Sequence, residues 1–207
     1  MRDQQGFDQW SEQYDQDVDR TDASNRYPFA GYQRVHDEIV RRVLDAPGRR
    51  VLDLGFGTAA LTGRLYEAGC QVWGQDFSPK MTALAQEKMP QARLYQGDLS
   101  QALAGELLEQ RYDAVIATYS LHHLTDARKL QLLEQLRGLL APGGRILVGD
   151  VAFQTRAQME QCARDSGEEW DDEEIYFVYD EIKGHFPGCT FLPCSACAGV
   201  LEFPAKE

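Results

Sequence analysis

Apolar and polar residues alternate along residues 50–150 in a way that predicts strands separated by helices. Short apolar runs lie at 50–54, 71–76, 92–96, 112–118 and 144–150, and stretches with helical spacing separate them. Neighbouring parallel strands need a long crossover, usually a helix, and a sheet of this kind is buried on both faces. The pattern therefore predicts a mostly parallel sheet with helices on both sides.

The two ends of the chain follow different patterns. Residues 1–49 lack strand patterns and show helical spacing of apolar residues from Val35 to Leu44. Towards the other end, a polar helical region precedes two short apolar runs, at 189–194 and 198–203. Too few residues separate these runs for a crossover, so we expect an antiparallel pair at one edge of the sheet.

We expect one α/β domain across residues 1–207. It divides into a helical lid or cap region at 1–49, a ligand-binding core at 50–150, and helices with an antiparallel strand pair at 151–207. A chain of 207 residues with 43% apolar residues is long enough to bury a substantial core.

Two details of helix boundaries can also be read from the sequence. Ser78-Pro79 has the residue types of an N-cap and a first helical residue. A later helix is indicated by leucines at helical spacing, namely Leu130, Leu133, Leu136 and Leu140.

The segment 51–61 contains the clearest sign of a ligand site. Asp53, Gly55 and Gly57 lie between an apolar run and the start of a helical pattern, which predicts a strand that turns sharply into a helix. Glycine permits a positive φ and has no Cβ to keep a ligand away from the backbone. We therefore expect the turn itself to contact a ligand.

A second acidic residue indicates what kind of ligand this is. Asp76 ends the next apolar run, about 20 residues after Gly57. At this spacing an acidic side chain meets the ribose hydroxyls of a nucleoside held over the first turn. The sequence therefore predicts a nucleoside-containing ligand.

These segments resemble the motifs of the class I S-adenosylmethionine-dependent methyltransferases. Residues 53–59 resemble the glycine-rich first motif, Asp76 the acidic second motif, 96–99 the third and 112–124 the fourth. The third glycine that the family often has is replaced by Ala59. The resemblance implies a three-layer α/β sandwich with a Rossmann-like sheet.

The resemblance extends beyond the four motifs. It includes the turn and strand at 140–148 and covers most of residues 30–203, and residues 7–15 resemble a small bacterial group sometimes called YrrT-like. Together with the seven apolar runs, it implies a seven-stranded sheet with an antiparallel edge pair.

The resemblance also implies an enzyme that uses S-adenosylmethionine as cofactor and releases S-adenosylhomocysteine. Asp53 is expected to accept from the ammonium group directly or through water, Asp76 from both ribose hydroxyls, and Asp98 from the adenine amine. The other expected cofactor-binding residues are Tyr14, Gly55, Phe56, Gly57, Thr58, Phe77, Gly97, Leu99 and Thr118.

Methyl transfer requires mainly alignment of the acceptor and exclusion of water. If the acceptor must lose a proton, His122 and His123 are the candidate catalytic residues, because the pKa of imidazole lies near neutrality. The alternative is that they cap or pack the loop after the fourth strand. Tyr32, Tyr119 and Asp150 are the candidates for the substrate chamber.

Two other functions remain open at this point. Gly55, Gly57 and Ala60 also fit the dinucleotide fingerprint of NAD(P)-dependent oxidoreductases, although Asp53 would repel a pyrophosphate placed at the helix N-terminus. A non-catalytic module that binds S-adenosylmethionine or S-adenosylhomocysteine is the other alternative.

Charge and hydropathy limit the partners. A net charge of −12 disfavours nucleic acid, whose phosphates are bound by basic patches. The sequence has no run of 18 apolar residues and begins with polar residues, so we expect no membrane segment and no signal peptide. The expected acceptor is a small molecule and the expected location is the cytoplasm, while the choice between monomer and homodimer stays open.

The five cysteines form an odd, irregular set rather than a disulfide framework, as expected in a reducing compartment. Cys194 and Cys197 have CxxC spacing, but Cys189 and His185 do not make a recognised second pair of zinc ligands. We therefore expect the cysteines to pack as small apolar residues, and we expect no metal site.

Overall fold

The structure is a computed structural model that describes residues 26–206. The helices in this range are α1 (Tyr32–Asp45), α2 (Ala60–Glu67), α3 (Pro79–Lys88), α4 (Gly105–Leu108), α5 (Asp126–Arg137), α6 (Arg156–Ser166) and α7 (Tyr179–Ile182), with 3-10 turns at Leu121–His123 and Gly167–Glu169. The strands are β1 (Arg50–Leu54), β2 (Gln71–Asp76), β3 (Arg93–Gln96), β4 (Tyr112–Thr118), β5 (Leu140–Phe153), β6 (Phe177–Val178), β7 (Thr190–Pro193) and β8 (Ala198–Pro204).

The main sheet has the strand order β3-β2-β1-β4-β5-β8-β7. The strands from β1 to β5 pair in parallel, and β8 runs antiparallel to both β5 and β7. The predicted α/β fold with an antiparallel edge pair is confirmed. The two-residue strand β6 adds an eighth member that pairs in parallel with the end of β5, which sequence analysis did not predict.

The sheet separates two apolar cores, which completes the predicted three layers. One core contains Val35 and Ile39 of α1 together with Leu65 of α2, and the other contains Leu132 and Leu136 of α5. The helices cover both faces of the sheet, so the ends of the strands are covered by loops. Parallel strands have their carboxyl ends at the same edge, where open α/β sheets bind ligands.

Two predicted boundaries were wrong. Leu140 does not belong to α5, because that helix ends at Arg137 and Leu140 pairs with Tyr112 as the first residue of β5. Strand β5 also continues beyond residue 150, because Val151 pairs with Ala198 of β8. Asp150 therefore lies inside a strand and not at its end.

The predicted start of α3 is confirmed in detail. The Oγ of Ser78 accepts a hydrogen bond from the backbone N–H of Met81 at 3.1 Å, and Pro79 is the first helical residue. Since this cap follows directly after Asp76, it fixes the direction in which the chain leaves β2. Within the described part of the chain, no helix has both the length and the apolar composition that crossing a bilayer requires.

Helix α1 packs very closely against β5 at Gly149. A Cβ built on this glycine would lie 2.4 Å from Cγ1 of Val35 and 2.8 Å from Cδ1 of Ile39. Both side chains are completely buried and β-branched, so they have few alternative rotamers. The distance between α1 and the sheet therefore depends on the absence of a side chain at position 149.

We predict that Gly149→Ala lowers the free energy of unfolding by about 1–3 kcal/mol, because the added methyl group overpacks this contact. Gly63→Ala is the matched control, since Gly63 lies within α2 and its Cβ would meet nothing within 4 Å. This change should stabilise the protein by about 0.5–1 kcal/mol. Urea denaturation of both variants measures the two effects. A Gly149→Ala protein that is as stable as the parent protein, or as stable as Gly63→Ala, would contradict the packing argument.

Candidate active site

The turn after β1 is built around two glycines. Gly55 has φ +78°, and a Cβ on it would lie 2.4 Å from Cβ of Ser120, so only glycine fits without moving the chain. Gly57 has φ +51°, and a Cβ built there would meet nothing within 4 Å. The turn is thus packed against β4 on one side and open on the other.

Ala59, which stands where the family often has a third glycine, and Phe56 both lie in this turn. Ala59 adopts the left-handed conformation with φ 60°, which glycine adopts at lower cost. The ring of Phe56 lies over Gly74, where a Cβ would be 2.6 Å from Cδ1 of Phe56. Ala59 and Tyr119 are the two residues other than glycine with positive φ in the described range, and strain of this kind concentrates at ligand sites.

Asp76 connects the end of β2 to this turn. Its Oδ2 accepts from the backbone N–H of Gly57 at 2.8 Å, and its Oδ1 accepts from the N–H of Ser78 at 2.9 Å. The side chain is 8% exposed. A nearly buried carboxylate therefore fixes the positions of the glycine turn and the start of α3 relative to each other.

Asp53 lies buried beneath the turn. Its Oδ2 accepts from the hydroxyl of Thr62, and its buried Oδ1 has no hydrogen-bond partner among residues 26–206. Burial raises the pKa of this carboxyl to about 7, with the hydroxyl of Thr62 opposing the shift and the charge of Asp76 adding to it. Asp53 is thus a carboxyl group whose ionised form requires a further partner.

A cavity opens at this edge of the sheet, above the glycine turn. Its lining residues are Tyr32, His36, Gly55, Phe56, Gly57, Thr58, Ala60, Leu61, Asp76, Met81, Thr118 and Tyr119. Eight of the residues predicted from the sequence are in this set, namely Tyr32, Gly55, Phe56, Gly57, Thr58, Asp76, Thr118 and Tyr119. Their roles toward a ligand stay predictions.

Four lining residues were not predicted as site residues, namely His36, Ala60, Leu61 and Met81, and His36 is the one with a titratable side chain. It is 4% exposed, its ring centroid lies 4.0 Å from that of Tyr32, and its Nε2 has no partner among the described residues. Burial, and next the charge of Arg64, lower its pKa to about 4, so the ring is neutral at physiological pH. The signal was its position four residues after Tyr32, on the apolar face of α1.

A second group of predicted residues lies outside this lining, at the end of β3. Asp98 accepts from both the N–H and the hydroxyl of Ser100 at 2.7 Å. Leu99 is buried, Phe77 is exposed, and a Cβ on Gly97 would lie 2.8 Å from the Gln75 amide. Tyr14 lies outside the described residues.

Aromatic rings form one wall of the cavity. The ring of Tyr119 lies 5.1 Å from that of Tyr32 and 5.5 Å from that of Phe29, measured between centroids. The three rings come from the residue after β4, from α1 and from the segment before α1. Tyr32 and Tyr119, the two tyrosines predicted to contact substrate, are therefore adjacent.

His122, His123 and Asp150 form a separate cluster just after β4, together with Glu174. Nδ1 of His122 lies 2.6 Å from Oδ1 of Asp150, and its Nε2 lies 3.5 Å from Oε1 of Glu174. The rings of His122 and His123 are 4.2 Å apart. None of the four belongs to the cavity lining given above, and Asp150 is completely buried.

Two opposing effects act on the pKa of His122. Burial favours the neutral ring, but Asp150 and next Glu174 outweigh this effect and raise the pKa of His122. Glu174 was not predicted, because it comes from the acidic segment at 168–174, which reads as a solvated surface. The general-base role of the histidines stays a prediction.

The sequence is similar to those of known methyltransferases. A profile of a methyltransferase domain matches residues 51–144. An uncharacterized methyltransferase of Geobacillus kaustophilus is 38% identical over 161 residues, which cover 77% of this chain and 72% of that protein. The uncharacterized methyltransferase YrrT of Bacillus subtilis is 32% identical over 157 residues, with 75% and 70% covered.

Solved structures share the fold at low sequence identity. Magnesium protoporphyrin IX methyltransferase from Synechocystis, with bound S-adenosylhomocysteine, gives a TM-score of 0.65 at 21% identity over 86% of this chain and 85% of that one. The N-methyltransferase NodS from Bradyrhizobium japonicum gives 0.63 at 16% identity over 86% and 89%. With its motifs in order, this fold and these relatives, the chain belongs to the class I S-adenosylmethionine-dependent methyltransferases.

Proposed function

We propose that this methyltransferase transfers the methyl group of S-adenosylmethionine to a small-molecule acceptor, with the cavity above the glycine turn as the cofactor site. The observation that carries the proposal is the combination of an open turn at Gly57, the carboxylate of Asp76 and an aromatic wall at one edge of the sheet. S-adenosylmethionine brings a methyl group already activated by sulfonium, so the protein has only to bind, orient and exclude water.

The residues around the turn fit the polar groups of this cofactor. Oδ1 of Asp53 is buried without a partner in the described range, and it fits an ammonium group reached directly or through water. Space above Gly57 allows close approach to the backbone. Asp76 is a nearly buried carboxylate that lines the cavity, and an ionised carboxylate is purely an acceptor, which suits it to the hydroxyls of a ribose.

We assign the group at the end of β3 to the adenine. Asp98 is partly exposed and both its oxygens can accept a second hydrogen bond, so it can accept from the exocyclic amine. Phe77, which follows β2, is 36% exposed, and we assign its apolar ring to the same part of the cofactor. Leu99 and Gly97 support the loop from which Asp98 projects.

The acceptor is assigned to the side of the cavity lined by Tyr32 and Tyr119. Tyrosine faces attract a sulfonium or another cation. A small acceptor is supported by the net charge of −12, which opposes binding to nucleic acid, and by the small-molecule substrate for which the magnesium protoporphyrin IX methyltransferase is named. Free thiols at all five cysteines agree with a cytoplasmic location, which we also propose.

The two other functions are less well supported. Asp53 lies beneath the turn that would have to receive a pyrophosphate, which opposes NAD(P) binding. Neither the relatives nor the structures compared above favour an oxidoreductase. A binding module without turnover is the remaining alternative, and a direct assay distinguishes it.

Transfer of a labelled methyl group tests the function. Purified enzyme is incubated with methyl-labelled S-adenosylmethionine and fractionated cell extract, and we expect enzyme-dependent label in the low-mass fraction. Label confined to protein or nucleic acid would contradict a small acceptor. Tight binding of S-adenosylhomocysteine with no labelled product in any fraction would favour the binding module.

The role of Asp76 can be tested by binding alone. Asp76→Ala should weaken S-adenosylhomocysteine binding by about 100-fold or more, because it removes two charged hydrogen bonds to the ribose as well as the brace on Gly57. Calorimetry measures the change. Asp172→Ala removes an exposed carboxylate and should leave affinity unchanged. Equal affinity of the Asp76 variant and the parent protein, or tight binding of NADH, would contradict the assignment.

The raised pKa of Asp53 predicts a pH dependence. Without cofactor the carboxyl holds its proton up to about pH 7, whereas a bound ammonium favours the carboxylate. Affinity for S-adenosylhomocysteine should therefore rise from about pH 6 to about pH 8, and Asp53→Asn should remove much of this rise. Calorimetry at several pH values provides the measurement.

Stability of the cofactor-free protein gives an independent control with the opposite sign. Because the folded-state pKa of Asp53 lies above the ordinary value of 3.8, its contribution to stability is complete below that value and is lost as pH rises through about 7. Unfolding by urea should show this loss in the parent protein and a smaller loss in Asp53→Asn. The assignment of the raised pKa is contradicted if both proteins respond to pH alike.

A further inference from the structure

We propose that His122, His123 and Glu174 bind a divalent first-row transition-metal ion of the Zn²⁺ type. One possible ligand atom from each residue lies within 4.8 Å of the other two. In the described range, this is the one such group of three histidine, cysteine, aspartate or glutamate side chains. The proposal goes beyond methyl transfer and does not depend on it, since the binding of an ion is measured directly.

The spacing of the cluster suits a metal ion. Bonds of about 2.0–2.2 Å in a tetrahedral site hold neighbouring ligand atoms about 3.4 Å apart. The distance from Nε2 of His122 to Oε1 of Glu174 is 3.5 Å, which matches this edge and exceeds the length of an ordinary N–H···O hydrogen bond. The ring of His123 is half-buried beside His122, with the ring centroids 4.2 Å apart, and its possible ligand atom lies within 4.8 Å of those of His122 and Glu174.

His122 and Glu174 each already make a hydrogen bond to a residue outside the proposed metal site. Oδ1 of Asp150 lies 2.6 Å from Nδ1 of His122 and fixes the hydrogen on that nitrogen, so the lone pair of Nε2 points toward Glu174. The other oxygen of Glu174 accepts from the hydroxyl of Tyr176 at 2.8 Å. That hydroxyl in turn contacts the hydroxyl of Tyr27. Metal-binding histidines and carboxylates are oriented by hydrogen bonds of this kind.

The ligand set identifies the class of ion. Two imidazoles and one carboxylate suit zinc and its neighbours among the transition metals, whereas Mg²⁺ and Ca²⁺ prefer oxygen ligands. Three protein ligands leave a fourth tetrahedral position open. Water or an oxygen, nitrogen or sulfur atom of a small molecule can occupy it.

Two other arrangements must be distinguished from this site. Without an ion, a protonated His122 between Asp150 and Glu174 forms an ion pair, which has no need of His123. The CxxC thiols of Cys194 and Cys197 are the other possible source of metal binding by this chain. Variants of His123 and of the two cysteines therefore separate the three explanations.

The experiment uses the full chain without an affinity tag, freed of metal with a chelator. Calorimetry with Zn²⁺ and visible absorption with Co²⁺ report binding. Mg²⁺ serves as the control ion that is not expected to bind. We expect one equivalent of Zn²⁺ or Co²⁺ in the parent protein. His123→Ala and Glu174→Gln should each weaken binding by more than about 100-fold, and Asp150→Asn by about 10–100-fold, the usual effect of losing an outer partner.

Two controls keep the test specific. His185→Ala removes an exposed histidine outside the cluster, and the double variant Cys194→Ser and Cys197→Ser removes the CxxC thiols. Both should bind like the parent protein, and circular dichroism establishes that every variant is folded. His122→Ala is not used, because it leaves the buried Asp150 without its partner and so endangers folding.

The outcomes are clear in either direction. The metal site is supported if binding follows His123 and Glu174. It is overturned if the parent protein binds Zn²⁺ no more tightly than His123→Ala does, or if the double cysteine variant is the one that loses binding. These binding results do not depend on the methyl-transfer assay, so a protein that transfers no methyl group could still pass or fail the metal test.

Discussion

The site depends on one carboxylate that joins the ends of two neighbouring strands. Asp76 accepts one backbone N–H from the turn after β1 and another from the start of α3. Because both oxygens accept from the backbone, a movement of the turn relative to the start of α3 would break one of these hydrogen bonds. The carboxylate thus favours one arrangement of the turn, and preorganisation of this kind lowers the cost of binding a ligand.

Much of the fold could be predicted because local and long-range signals agreed. The ends of β1 and β2 follow from apolar runs that stop before Gly55 and at Asp76, and the start of α3 follows from Ser78 and Pro79. The end of α5 could not be found in this way. Leucines continue past Arg137 into β5, so the sequence shows an unbroken apolar stripe where the backbone changes from helix to strand.

Site residues could be predicted from the sequence where they lie at the end of a strand or in the turn that follows it. Gly55, Gly57 and Asp76 lie at points where the pattern changes, whereas His36 and Glu174 belong to segments that look ordinary. His36 looks like part of an apolar helix face, and Glu174 looks like part of a solvated acidic run. Only the packing of distant segments shows that these two side chains enter a cavity and a histidine cluster.

The contact at Gly149 has a consequence for the shape of the cavity. Helix α1 carries both Tyr32 and His36, and its inner face lies directly on the backbone of β5 with no side chain in between. The side of the cavity formed by α1 is thus part of the hydrophobic core and is held more tightly than a surface loop would be. Enlarging the cavity on this side would accordingly require repacking of the interior, at positions such as Val35, Ile39 and Gly149 that do not line the cavity.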